Sequence, residues 1–125
     1  MKMKKEPILI VFCFVIIPLV TVLLFGDENS ESDRIASKYN AVREHVLWDK
    51  TRVDLLNDEY AIEVDWSKKW AEAIGQSLYY AEVTHRKPGI VLLVKSLPEE
   101  RRFIYRCQTV CAKYDIRLWV EKVNP

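Results

Sequence analysis

Three acidic residues lie in short stretches that otherwise have the composition of β-strands. Glu44, Asp54 and Glu63 occupy three consecutive stretches of this kind, and Glu63 interrupts an apolar run at residues 61–64. An acid on a buried strand is costly unless it is paired or bound to a metal. Two such acids on neighbouring strands suggest a divalent cation held by oxygen ligands, with Mg²⁺ or Mn²⁺ the natural choice. Alternation alone fits equally well a sheet whose acids simply face water.

A helix predicted from Ser67 to about Val83 carries a second group of polar residues. At about 100° per residue, Lys69, Gln76 and Tyr80 share one stripe, whereas Lys68 points about 100° away and is interpreted as a solvated lysine. Beside a metal held by carboxylates, a lysine can orient or deprotonate an attacking water, while Gln and Tyr hold the backbone or the substrate. A hydrated helix edge would show the same stripe.

The order of the predicted elements describes the sheet that would position these side chains. Strands are predicted at residues 44–48, 51–56, 60–64, 90–94 and 116–120, and helices at 35–43, 67–83 and from Pro98 onward. Lys87-Pro88-Gly89 is predicted to break the chain before the fourth strand. A hairpin meander followed by alternating helix and strand predicts an α/β fold, a mixed central sheet flanked by helices in the order α-β-β-β-α-β-α-β.

The N-terminal segment has a different character. Residues 8–25 contain no charged residue and would form a helix of about 27 Å, just enough to cross a bilayer core. Lysines precede the run and acidic residues follow it, which favours a cytoplasmic N-terminus with the domain on the extracytoplasmic side. A signal peptide, and hence an exported protein, is the alternative. We expect a transmembrane anchor or uncleaved signal at residues 1–26, a polar tether at 27–34 and the α/β domain at 35–125.

The composition excludes several classes of protein. The chain has 125 residues, of which 50% are hydrophobic and 30% charged, and only three are cysteines, so it is not disordered, collagen-like or a disulfide scaffold. Residues 26–125 hold 16 basic and 17 acidic residues and therefore lack the basic footprint of a tight, non-specific nucleic-acid binder. Cys107 and Cys111, one helical turn apart, are interpreted as small core residues.

Part of the chain resembles a known family. Asp54, then Glu63-Val64-Asp65 on the next strand, then a helix with Gln76-Ser77-Leu78-Tyr79-Tyr80, resembles the PD-(D/E)xK nuclease superfamily, which has the restriction-endonuclease-like fold. The resemblance covers about Glu44 to Val120 and is closest to the branch whose helix bears a Gln-x-x-x-Tyr signature.

The resemblance implies a role for each matching residue. Asp54 and Glu63 would be metal ligands, with Glu44 as an upstream third acid, and the helical Gln76 and Tyr80 would complete the site. The family places a lysine two residues after the second acid, where this chain has Asp65. Members are known in which the lysine has migrated to the adjacent helix, and Lys69 fits that variant.

Two functions are therefore expected. The first is a metal-dependent nuclease that hydrolyses phosphodiester bonds of DNA, with RNA as the second choice, tethered to the membrane through residues 8–25. The second is a catalytically inactive nuclease-like domain that serves as a membrane-anchored interaction or structural module. The near-neutral charge and the missing strand lysine favour the second. Exposed cations could contact phosphates but form no dense patch in the sequence.

Overall fold

The computed structural model describes residues 31–124, and the chain divides into two units between Ser37 and Lys38. The first unit contributes most of helix α1, whose described part covers residues 31–38. The predicted anchor at residues 1–26 and residues 27–30 of the predicted tether lie outside the described residues, whereas residues 31–34 of that tether are helical and belong to α1. Within residues 31–124, every helix is too short or too polar to cross a bilayer.

The second unit is an α/β fold built on one mixed sheet, as predicted. Its elements are strand β1 (Val42–Val46), strand β2 (Arg52–Leu56), strand β3 (Tyr60–Trp66), a 3-10 turn (Ser67–Lys69), helix α2 (Trp70–Thr84), strand β4 (Lys87–Val94), helix α3 (Leu97–Tyr114) and strand β5 (Arg117–Lys122). Helix α1 ends earlier than predicted because Asn40 adopts a left-handed φ of 47°, which stops a helix.

The five strands lie in the sheet in the order in which they occur in the chain. The tight turns between β1, β2 and β3 make these pairs antiparallel, whereas the helical crossovers make β3, β4 and β5 parallel. Because α2 and α3 pack on the same side chains of β4, both helices cover one face of the sheet. The carboxyl ends of β3 and β4 therefore meet at the edge where both helices begin.

The main core lies between β4 and the two helices. Ile90 and Leu92 are fully buried there against Ala73 of α2 and the two cysteines of α3. The prediction that Cys107 and Cys111 are core residues is confirmed. Their sulfur atoms are 3.8 Å apart, far longer than a disulfide bond of about 2 Å, and both are free thiols.

The predicted break at Lys87-Pro88-Gly89 is wrong, because β4 begins at Lys87. The Lys87 N–H donates to the Glu59 carbonyl on the β3 side, so the nitrogen of Pro88 faces the β5 side. On that side β5 starts only opposite Gly89, so Pro88 has no neighbouring strand to which it would have to donate a backbone hydrogen bond. Gly89 allows Trp119 to approach closely, since a Cβ at this position would lie 2.9 Å from the Trp119 ring.

Candidate functional site

The side chain of Asp54, instead of a backbone carbonyl of β2, accepts a hydrogen bond from the backbone of β3. In the backbone ladder of these strands, Leu55 pairs with Ile62 and Leu56 pairs with Ala61. Beyond that pair, the Asp54 carboxylate accepts a hydrogen bond of 2.8 Å from the Val64 N–H. This bond fixes the carboxylate against β3. Burial raises the pKa of Asp54, and this hydrogen bond opposes the rise.

Glu63 is the most perturbed carboxyl group of the site. It is only 6% exposed, and its Oε2 atom is buried without a hydrogen-bond partner in the described part of the chain. Burial and the neighbouring charge of Asp54 raise its pKa to about 9. Near neutral pH the two carboxyl groups therefore share one proton, as closely spaced acids do. The structure thus brings together the two acids predicted as metal ligands.

Asp65 is a third acid at this site, at the position where the PD-(D/E)xK pattern has a lysine. It lies two residues after Glu63 on β3, so both side chains point to the same face of the sheet. Burial raises the pKa of Asp65, whereas the charge of Lys69 lowers it and that of Glu72 raises it. The spacing of two along one strand was the signal that could have identified Asp65.

Lys69 does not belong to the regular helix. The prediction of one continuous helix from Ser67 is wrong, because Ser67–Lys69 form a 3-10 turn and α2 begins at Trp70. A 3-10 turn advances about 120° per residue, so the stripe worked out at 100° per residue does not extend to Lys69. Lys69 is exposed, yet it lies near enough to Asp65 to affect the pKa of that carboxyl group.

Tyr80 and Gln76 occupy different environments on α2. Tyr80 is 6% exposed and packs in a second core cluster with Val53 and Ala61. Burial is the main cause of its raised pKa, and the charges of Glu63 and Asp54 add to it. Tyr80 is therefore close to the carboxylate pair, whereas Gln76 is half-buried one turn earlier.

Glu44, predicted as an upstream third acid, is exposed on β1. Its Oε2 atom lies 3.3 Å from the Arg52 guanidinium. Its negative charge contributes to the raised pKa of Asp54, so it lies near the pair. The Glu44 carboxylate is thus already paired with a cation of the protein, the Arg52 guanidinium.

The donor set of the site consists of carboxylate oxygens, which are the ligands of Mg²⁺ and Mn²⁺. Among residues 31–124, no group of three or more His, Cys, Asp or Glu side chains is arranged to hold a metal ion. Mg²⁺ sites commonly use one or two carboxylates and fill the other positions with water and substrate phosphate. The Asp54–Glu63 pair, with its unpartnered buried oxygen, fits a site of that kind.

Comparison with known proteins adds one partial likeness. No protein-family model matches the chain, and no solved structure matches it. A stretch of 66 residues is 36% identical to a KilA-N domain-containing protein of Acanthamoeba polyphaga mimivirus. The stretch is 53% of this chain but only 18% of the viral protein, so the chain spans less than a fifth of that relative.

Proposed function

We propose that the chain is a Mg²⁺- or Mn²⁺-dependent nuclease of the PD-(D/E)xK type that hydrolyses phosphodiester bonds, with DNA preferred over RNA as its substrate. The observation that supports this proposal is the buried Asp54–Glu63 pair, in which one carboxyl oxygen has no partner within the described residues. Two adjacent buried acids repel each other unless they hold a proton or a cation. The name of the viral relative states no activity, so the support comes from the carboxylates.

The proposal assigns the metal to Asp54 and Glu63. A bound divalent cation would supply Lewis-acid polarisation of the phosphate and would lower the pKa of a bound water. The Val64 N–H holds the Asp54 carboxylate in place through its 2.8 Å hydrogen bond.

Lys69 is the basic side chain of the proposed mechanism. Its charge acts on Asp65, which lies on the same face of β3 as Glu63. From there the ammonium group offsets negative charge on a phosphate at the pair and orients the attacking water. Asp65 is a positioning residue for Lys69, and Tyr80 forms the apolar wall beside both carboxylates.

A catalytically inactive nuclease-like module is the second candidate function. One observation favours it: Asp65 stands where the family has a lysine, and its negative charge weakens any phosphate site built at that position. In both functions the chain would be tethered to the membrane through residues 8–25, with the domain on the extracytoplasmic side.

Hydrolysis of labelled DNA and RNA by the full-length chain in Mg²⁺ or Mn²⁺ tests the proposal. The informative variants are Asp54→Asn, Glu63→Gln and Lys69→Met, and the matched controls are Glu82→Gln and Lys113→Met, which change exposed residues on α2 and α3. We expect the first three to lose about 100-fold or more in rate, the scale of a lost catalytic group, and the controls to keep the wild-type rate. Absence of metal-dependent cleavage would support the inactive module instead, whereas cleavage that survives Glu63→Gln would show that the Asp54–Glu63 pair is not the catalytic site.

A further inference from the structure

An open pocket lies at the carboxyl ends of β3 and β4, where α3 begins. Its volume is about 410 Å³, and Trp66, Lys68, Lys95, Arg102 and Phe103 form most of its wall. The Lys95 ammonium lies 5.0 Å from the centroid of the Trp66 ring, and the Arg102 guanidinium carbon lies 4.7 Å from that of Phe103. Flat aromatic surfaces and positive charges therefore alternate around one cavity.

The charge balance of the pocket favours an anion. Two acids also line it, but Glu100 is committed to internal hydrogen bonds. Its carboxylate accepts from the Ser67 hydroxyl at 2.5 Å and from the backbone N–H groups of Lys95 and Ser96, both at 2.7 Å. These hydrogen bonds lower the pKa of Glu100, which keeps its negative charge, so three cations face two acids and leave an excess of one positive charge. Because Glu100 takes the N–H groups of Lys95 and Ser96, the cationic side chains are the main attraction for a bound anion.

The aromatic surface indicates which anion fits. Trp66 is 38% exposed although it ends a central strand, and a base can stack on its indole ring once Lys95, whose ammonium lies over the ring, turns toward a phosphate. Nucleic-acid bases stack on aromatic faces, and lysine or arginine beside them contacts the phosphates. The faces of bases inside a duplex are covered by their neighbours, whereas an unpaired base can insert and stack.

We propose that this pocket binds an unpaired nucleotide of a single-stranded nucleic acid, with the base on Trp66 and its phosphates on Lys68, Lys95 and Arg102. The proposal rests on the proposed function, because it specifies the substrate class of that site. Trp66 directly follows Asp65, and Lys68 directly precedes Lys69. Side chains alternate along β3, so Trp66 points to the opposite face from Asp65 and Glu63, and a strand bound in the pocket reaches the carboxylates by passing the carboxyl end of β3.

Fluorescence anisotropy with the full-length chain in EDTA tests the pocket without requiring hydrolysis. The probes are a labelled oligothymidylate and a blunt duplex of equal length. The variants are Trp66→Ala and Trp66→Phe, with Trp48→Ala as the matched control because Trp48 is 83% exposed in the turn between β1 and β2. Thermal unfolding verifies that each variant is folded.

We expect the single strand to bind more tightly than the duplex and Trp66→Ala to weaken its binding about tenfold or more, the scale of one lost stacking contact. Trp66→Phe should retain most of the affinity, and Trp48→Ala all of it. Equal affinity for single strand and duplex, or wild-type binding by Trp66→Ala, would overturn the proposal. Binding that depends on Trp66 without any hydrolysis would retain the pocket and refute the nuclease. Hydrolysis that does not depend on Trp66 would support the nuclease and refute the proposed nucleotide pocket.

Discussion

The proton held by Glu63 makes the stability of the fold depend on pH. The pKa of this carboxyl group rises from 4.5 to about 9 on folding, because it is buried beside Asp54. Between these two values the folded chain binds one more proton than the unfolded chain, so the free energy of unfolding falls as pH rises. The stability due to the neutral Glu63 is complete below pH 4.5 and is lost progressively up to about pH 9.

The size of the effect follows from the linkage of one proton. Each pH unit between these limits changes the free energy of unfolding by about 1.4 kcal/mol, so the loss from pH 6 to pH 8 is about 3 kcal/mol. That is a large part of the 5–15 kcal/mol or so by which domains are stable. A neutral amide of the same shape cannot bind this proton, so Glu63→Gln should remove the contribution.

Urea unfolding of the full-length chain at pH 6, 7 and 8 in EDTA measures this difference. Titrating groups outside the Asp54–Glu63 pair affect wild type and variant alike, so the difference between their profiles isolates the proton shared by the pair. Glu82→Gln serves as the control because Glu82 is exposed on α2, and its profile should follow wild type. Parallel pH profiles for wild type and Glu63→Gln would refute the shared proton.

Two further predictions concern packing. Gly89→Ala should lower the free energy of unfolding by about 1–3 kcal/mol, because the new Cβ would lie 2.9 Å from Trp119. Gly75→Ala should raise the free energy of unfolding by up to about 1 kcal/mol, because nothing lies within 4 Å of the new Cβ and alanine favours helices. Thermal unfolding of both variants checks this pair, and equal or reversed effects would contradict it. In a Cys13→Ser background, Cys107 and Cys111 should react with a thiol reagent only as fast as the fold opens, because both are buried. Fast labelling of the native chain would show that the α3 core is open.

Local patterns in the sequence predicted most of the fold. The apolar run at residues 90–94 indicated the fourth strand, and the short connections indicated the antiparallel meander. Lys87-Pro88-Gly89 predicts a break between secondary-structure elements, because proline and glycine usually interrupt helices and strands. The close approach of Trp119 that requires Gly89 comes from a strand almost thirty residues later, which no local pattern reveals.

For the candidate site too, local patterns in the sequence predicted one part and missed another. The adjacency of Asp54 and Glu63 could be anticipated because a meander places consecutive strands side by side. The 3-10 turn before α2 could not, since three residues carry too little local preference to separate it from an α-helix. The pocket at Trp66 was missed because β3, β4 and α3 bring its walls together only in the folded chain.

Binding of Mn²⁺ to the full-length chain tests most directly whether Asp54 and Glu63 form a cation site. Isothermal calorimetry at pH 7.5, in two buffers of different ionisation enthalpy, reports both the affinity and the protons released. We predict binding that tightens with pH and releases about one proton per ion, because the cation displaces the proton held by Glu63. The Asp54→Asn, Glu63→Gln double variant should not bind, whereas Glu82→Gln should bind as wild type does. Absence of binding by the wild type, or equal binding by the double variant, would contradict the cation site.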